Sequence, residues 1–325
     1  MKFQWIHDHR DDWPTELMCS TLRVSRSGYY AWRRRPPSDR MVRRQELLLQ
    51  IRSVYEMSRG TYGSPRIHRE LEASGRKCNV KTVALVMREN TIKSVVSPKF
   101  KPATTNSDHR YGFAPNVLNQ EFNQEKVNEC WASDITYIPT HEGWSYLAVV
   151  LDLYSRRVIG YALADHLRSS LAIDALSSAL ESRSEAVKLQ QLRKLWNHEH
   201  EEDVEDDEDG EIDAEVRSDV NKNEIVLLHH SDRGVQYAGA SYRAMLESHG
   251  LTASMSRRGN CYDNAMVESF FGTLKTELVY QQEYETKEEA MCSIEEYIED
   301  WYNTKRRHSS LGYVSPVEYE RLAEA

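Results

Sequence analysis

Apolar residues recur at helical spacing through the front of the chain, and short apolar runs of strand length take over in its middle. Residues 15–35, TELMCSTLRVSRSGYYAWRRR, read as helix, turn, helix, with Ser25 suited to cap the second helix and Arg33, Arg34 and Arg35 carried on it; Pro36 and Pro37 then stop it. Leu47, Leu48, Ile51, Val54 and Tyr55 predict a long helix from about Asp39 to Met57. After the glycine-rich break RGTYG, Ser64 is placed to cap and Pro65 to open a helix through IHRELEAS that Gly75 ends, and another starts near Asn79 and runs KTVALVMREN. Lys77, Lys81 and Arg88 lie on or beside the second of these, so the pair is a helix-turn-helix candidate.

From about Ser97 to Gln124 the chain is rich in Pro, Asn, Ser and Thr without periodicity, which reads as a linker. The runs CWASDITYIP, SYLAVVLDLYS and RRVIGYALA then follow at short intervals and predict an antiparallel meander, HEGW making its first turn and YSRR its second. A helix over SSLAIDALSSALES comes next; beyond an acidic block, the buried-looking strand EIVLLHH leads to Asp232, followed by a helix over YAGASYRAMLESHG, a short strand LTASMS and a long helix over DNAMVESFFGTLKTELVY. In that last helix Val267, Phe270, Phe271, Leu274 and Leu278 form the stripe expected to be buried, and Asn264, Glu268, Gly272 and Lys275 the neighbouring one. The expected organisation is therefore an all-α helix-turn-helix region over 1–96, a linker over 97–124, an α/β core over 125–285 with an insertion at about 183–223, and a C-terminal helix with a basic tail over 286–325.

Charge sharpens this division. The net charge of −9 conceals a front half with 22 Lys or Arg against 11 Asp or Glu over residues 1–110, and a run at 199–215, EHEEDVEDDEDGEIDAE, with 12 acidic side chains and no Lys or Arg. A basic front is the electrostatic footprint of a nucleic-acid partner, while a like-charge run of this length is ordinarily solvated. A DNA-mimicking run lying over the basic front is the sharper alternative. The five cysteines are odd in number, far apart and without a Cys-x-x-Cys pair, so they read as reduced thiols of a cytosolic protein and not as a disulfide frame or zinc site. No apolar run approaches the ~20 residues of a membrane span.

The candidate chemistry rests on three carboxylates: Asp134 in WASDITYIP, Asp232 in LLHHSDRGVQY and Glu268 in CYDNAMVESFFGTLKTE, with Lys275 two helical turns past the glutamate. Displacing an oxygen in line at phosphorus builds charge on the phosphate and on the attacking and leaving oxygens, which two Mg²⁺ ions about 3.5 to 4 Å apart neutralise. Mg²⁺ takes oxygen ligands in octahedral geometry, and a few carboxylates plus substrate and water complete such a site. Lys275 would hold a phosphate beside the metals, and Gly272 would leave room for a DNA backbone.

Five ordered blocks, WASDITYIPT, VVLDLYSRRVIGYAL, HHSDRGVQYA, SMSRRGNCYDNAMVESFFGTLKTE and YNTKRRHSSLGYVSPVEYE, resemble the second-reading-frame (OrfB) transposases of insertion sequence family three, and VSRSGYYAWRRRPPS and SRGTYGSPRIHREL extend the likeness through the front half. The resemblance implies a retroviral-integrase-like, ribonuclease H-like core: a mixed five-stranded sheet flanked by helices, with Asp134 and Asp232 on adjacent central strands and Glu268 on a helix crossing them. It implies that Asp134, Asp232 and Glu268 are the catalytic and metal-binding triad, holding two Mg²⁺ ions for which Mn²⁺ can substitute, and that the enzyme cleaves DNA with water and transfers the exposed 3'-hydroxyl to a second strand. Implied partners are the element's ends, target DNA, further copies of the chain on DNA and an upstream-frame (OrfA-type) product, in the bacterial cytoplasm at the nucleoid. The family has a short connection where about 40 residues, acidic at their centre, intervene here.

Expected DNA contacts are Lys275 and Asn264 on the Glu268 helix, Arg257 and Arg258 in the loop SMSRRGNCYDN before it, and Arg33, Arg34, Lys81 and Arg88 in the front half. Asp152 and Asp263 are rival carboxylates, the first expected to make a structural hydrogen bond near a turn and the second to cap the last helix. His229 and His230 point to opposite faces of a strand and cannot easily share one ion. Tyr302, Asn303, Arg306, Arg307 and His308 either bind phosphate or pack the tail on the core. Two other functions use the same features: a non-catalytic DNA-binding regulator, and a structure-selective nuclease of the same fold.

Overall fold

A computed structural model describes residues 1–36, 38–95, 113–185, 188, 227–258 and 260–324. They form two compact units, one of Met1–Met57 with Gly63–Lys93 and the other of Ser58–Tyr62 with Ser94–Ala325. The acidic run at 199–215 and the front of the expected linker lie outside the described residues. No helix among the described residues is long and apolar enough to cross a membrane.

The first unit is all helical. α1 (Lys2–Asp8), α2 (Thr15–Thr21) and α3 (Arg26–Arg34) meet around Ile6, Met18, Cys19 and Tyr29. Ser25 caps α3 as its sequence suggests, its Oγ accepting from the Gly28 N–H at 3.0 Å. α4 (Asp39–Met57) buries Leu47 and Ile51, α5 (Ser64–Ala73) buries Ile67 and Leu71, and α6 (Val80–Glu89) buries Val83, Val86 and Met87. Asn79 caps α6 through the Lys81 N–H, whereas Ser64 is already the first helical residue of α5 and Gly63 takes the cap position. Arg33, Arg34, Lys81 and Arg88 are exposed on this unit.

The second unit is built on a five-stranded mixed sheet in the order β3-β2-β1-β4-β5. β1 (Cys130–Thr140), β2 (Gly143–Asp152) and β3 (Val158–Ala164) are the expected antiparallel meander, and β4 (Leu228–Ser231) and β5 (Thr252–Met255) run parallel beside β1. α7 (Ser169–Ser182) covers one face and buries Leu171, Ala172, Ala175, Leu176 and Ala179 against Trp131, Ala148, Val150 and Ile159. Gly160 permits that approach: a Cβ there would stand 2.4 Å from the Ala179 nitrogen and 2.5 Å from the Ala175 oxygen. The helix carrying Glu268 spans Ala265–Glu277, and all of Val267, Phe270, Phe271, Leu274 and the following Leu278 are buried as their spacing predicts.

Three segments differ from expectation. From Phe113 the linker is part of this unit, with Leu118 buried and the N–H groups of Val117 and Leu118 donating to Ser254 Oγ at 3.0 and 3.2 Å. The break RGTYG is also structural: Tyr62 is fully buried, its ring 5.7 Å from that of Trp301 and its hydroxyl accepting from the Arg307 N–H at 2.8 Å. The C-terminal segment likewise belongs to this unit, because Arg306 is buried in a two-point ion pair with Glu277 and Asn303 bonds both the N–H and the carbonyl of Val158. Of the two readings of that tail, packing holds for Arg306 and Asn303. Periodicity could not reveal these ties, since each depends on a partner more than 25 residues away.

Candidate active site

One rung of the sheet organises the site. Ser133 of β1 pairs with Ser231 of β4 in the parallel ladder, so Asp134 and Asp232 each follow the same rung on neighbouring strands, about 4.8 Å apart as parallel strands run. The Nδ2 of Asn264 donates to the Ser133 carbonyl at 3.2 Å, which pins the start of the Glu268 helix to the same rung. Glu268, four residues further on, is near enough for its charge to act on Asp134. Three elements distant in sequence thus converge on one position of β1.

Asp134 and Asp232 are half-buried and Glu268 is exposed. Each aspartate is oriented locally: Asp134 Oδ1 accepts from the Ile135 N–H at 2.8 Å, and Asp232 Oδ1 from the Gly234 N–H at 2.8 Å. A Cβ at Gly234 would lie 2.9 Å from Asp232 Oδ1 and 3.0 Å from Gln236 Oε1, so a side chain there would shift the carboxylate from this position. Desolvation, then the charge of Asp232, pushes the Asp134 carboxyl well above the usual carboxylate range; Glu268 adds to this, while the Ile135 N–H and Lys275 oppose it. Among the described residues no three His, Cys, Asp or Glu side chains close into a preformed ion cage.

Lys275 lies on this side of its helix, with Nζ 4.5 Å from the centroid of the Tyr137 ring. Desolvation lowers its pKa and the Asp134 charge raises it. Tyr137, edge-on to the exposed Trp144 at 5.0 Å, was not singled out by sequence pattern. Strand alternation gave no signal for it, since residues three apart point to opposite faces.

One expected DNA contact is placed otherwise, and a second, Arg257, is exposed but also paired within the chain. Asn264 is buried and engaged with Ser133, so its amide serves the helix start and not the surface. Arg257 grips Asp263 at two points, Nε to Oδ2 at 3.0 Å and Nη2 to Oδ1 at 2.8 Å, with its backbone N–H also on Oδ2. Arg258 is exposed. Asp263, in turn, does not cap the helix: it is fully buried and also accepts from Asn116 and Gln120, with the Arg257 bonds holding its carboxyl well below the usual range. Asn260 makes the cap of the preceding turn, through the Tyr262 N–H.

The other rivals are structural. Asp152 is fully buried and accepts from the N–H groups of Asn128, Tyr154 and Ser155, the turn role expected for it. His229 bonds Ser133 Oγ and Tyr242 Oη, and His230 bonds Ser254 and Ser256, on opposite faces of β4.

A mixed sheet that sets two aspartates after one rung of adjacent parallel strands, with a glutamate on the helix tied to that rung, defines an integrase-type core. Residues 124–191 and 249–316 match the family models described as "Integrase core domain", and residues 42–100 match an "HTH-like domain". The chain is 38% identical over 322 residues, 98% of each chain, to the transposase InsF for insertion sequence IS3A of Escherichia coli (strain K12), and 38% identical over 302 residues, 93% of this chain and 97% of the other, to the insertion element IS600 uncharacterized 31 kDa protein of Shigella sonnei. It belongs to the IS3 family of transposases and is a DNA transposase of the integrase type. Solved structures similar to it include the catalytic core domain of BIV integrase (18% identical, 61% of this chain and 96% of that chain, TM-score 0.35) and the HTLV-2 integrase catalytic core domain in complex with magnesium, trimeric form (12% identical, 61% and 99%, TM-score 0.38).

Proposed function

We propose that this transposase cleaves and joins DNA at the site formed by Asp134, Asp232 and Glu268, acting on the ends of its own element and on a target duplex. The observation that carries the reading is the shared rung: Ser133 pairs with Ser231 and accepts from Asn264, so all three carboxylates are directed to one place. Their chemistry suits Mg²⁺ or Mn²⁺, since the donors are hard oxygens and the mutual repulsion that raises the Asp134 carboxyl is what a divalent cation relieves. Asp134, between the other two, would bridge a pair of ions, with Asp232 and Glu268 each holding one. Glu268 is exposed, so a change of side-chain rotamer is the movement that completes the set.

Bound there, the ions would neutralise the charge that develops on the phosphate and on the entering and leaving oxygens. The residues of the chain supply position. The Asp134 carboxylate is oriented by the N–H of Ile135 within β1 and that of Asp232 by the N–H of Gly234 just past β4, and the Lys275 ammonium, held over Tyr137, stands ready for a phosphate of the bound strand. Arg258 extends the contact along the DNA, and Arg33, Arg34, Lys81 and Arg88 supply phosphate contacts from the helical unit. Further copies of the chain, paired on two element ends, are the partners of this reaction, and an upstream-frame product is one that the family resemblance implies.

The test incubates the full chain with labelled duplex bearing the element's ends, in Mg²⁺, Mn²⁺ or EDTA, beside Asp134→Asn, Asp232→Asn and Glu268→Gln. Metal-dependent nicking and joined products are expected from the wild type alone, with DNA binding retained in every variant. Substantial activity in any of the three variants would refute the site. Nicking without joining would point to a nuclease instead.

A further inference from the structure

We propose that a second phosphate-binding site lies beside the Glu268 helix, in the cavity centred on Arg156. The cavity measures ≈ 70 Å³ and is lined by Arg156 from the β2–β3 turn, Ser269 and Thr273 from the Glu268 helix, and Tyr302, His308 and Ser310 from the C-terminal segment. A single water needs about 10–15 Å³ on this measure, so the space admits several waters or one tetrahedral oxyanion. Hydroxyl groups supply four of the six named lining side chains, and they are the donors such an anion uses.

Arg156 is the unusual member. Arg157 and Arg183 share the buried carboxylate of Glu320, and Arg306 holds Glu277, whereas the Arg156 guanidinium reaches no carboxylate among the described residues. It makes one hydrogen bond, from Nη2 to the Phe122 carbonyl at 3.3 Å, and its Nε and Nη1 are buried without a partner. Asp152 lies within electrostatic range, but its oxygens are taken up by the N–H groups of Asn128, Tyr154 and Ser155. Arg156 is half-buried, and two of its nitrogens lack the hydrogen-bond partners that enclosed polar groups ordinarily have.

Leu151, Met266 and Phe270 complete the wall, and two unpartnered guanidinium nitrogens beside four hydroxyl groups are what an anion site offers. Ser269 directly follows Glu268, and Gly272 on the same helix has nothing within 4 Å of where its Cβ would be. Whether the group belongs to a DNA backbone or to free phosphate is one chemistry from two sources; the DNA assignment rests on the proposed function, and the anion site itself does not.

The experiment uses the full chain, Arg156→Gln, and the Ser269→Ala/Thr273→Ala double variant, which leaves the turn and its arginine intact should Arg156→Gln fail to fold. Duplex binding is followed across a salt series without divalent metal, and thermal midpoints are read in inorganic phosphate against chloride at matched ionic strength. A log–log salt slope shallower by about 0.9 in the variants is the loss of one DNA phosphate contact. An unchanged slope, with a phosphate-specific rise in the wild-type midpoint that the variants lack, assigns free phosphate. Equal slopes, together with a wild type that responds alike to phosphate and chloride, would overturn the site. A wild type that fails to bind duplex at all removes the DNA reading, and the phosphate series then decides by itself.

Discussion

The ammonium of Lys275 rests 4.5 Å from the centre of the Tyr137 ring, so a residue of β1 holds the cation that flanks the carboxylates, just three positions beyond Asp134 in the same strand. The ring's negative face offsets part of the desolvation that lowers the Lys275 pKa.

Replacing Tyr137 with Leu should slow strand transfer while Phe, which keeps the ring, should not. A cation–π contact of about 0.5–2 kcal/mol predicts a slowing of roughly two- to thirty-fold. Single-turnover joining of pre-cut ends provides the check; a Phe variant as slow as the Leu variant would remove the ring face from the argument.

Asn264 should matter for the fold of the site and not for DNA affinity. Its Nδ2 bond to the Ser133 carbonyl is buried, and Asn264→Ala leaves that acceptor unsatisfied, a loss of about 1–3 kcal/mol. Urea unfolding should report the loss, and cleavage should fall because the Glu268 helix is no longer pinned to the rung. The salt slope of DNA binding should be unchanged; a shallower slope would return Asn264 to the DNA interface.

The Glu277–Arg306 pair fastens the C-terminal segment under the Glu268 helix, with both side chains less than a tenth exposed. Glu277→Gln or Arg306→Leu alone should destabilise the second unit by about 3–5 kcal/mol, since each strands a buried charge. Replacing both with apolar residues should cost less than the two single changes together. Denaturant midpoints of the four proteins make the comparison, and strict additivity would contradict a coupled pair.

Acid should weaken the second unit through β4. Desolvation lowers His229 to a pKa of about 3 and His230 to about 4, against 6.5 for the unperturbed ring. Both are therefore neutral in the fold, and the unfolded chain binds the extra protons as pH falls. Their stabilising contribution is complete above pH 6.5 and is lost progressively as pH drops through 6.5 towards the folded values. At pH 5 this amounts to about 2 kcal/mol for each histidine. Asp134, whose carboxyl is raised, acts with the opposite sign, so the measurement belongs in an Asp134→Asn background without divalent metal. Urea unfolding between pH 5 and 8 should show the slope, and His230→Asn should flatten it; a flat profile in the parent would contradict buried neutral imidazoles.

Local pattern made much of this protein legible. The spacing of Val267, Phe270, Phe271, Leu274 and Leu278 named the buried face of the Glu268 helix, three strand-length runs at short intervals gave the meander, and Ser25 and Asn79 marked helix starts, because these features depend on neighbours a few residues away. The five ordered sequence blocks carried the family, which the relatives bear out over nearly the whole chain. What only the tertiary structure decided is which polar groups face one another across long stretches of sequence. Asn264 read as polar surface until the Ser133 carbonyl appeared beside it, Arg257 gave no sign of its buried partner Asp263, and Tyr62 read as part of a loop until it packed on Trp301. A charged or amide side chain has the same local signature whether it meets water, DNA or a buried partner, because the energy that decides among them comes from desolvation and pairing, and the pairing is set by the fold.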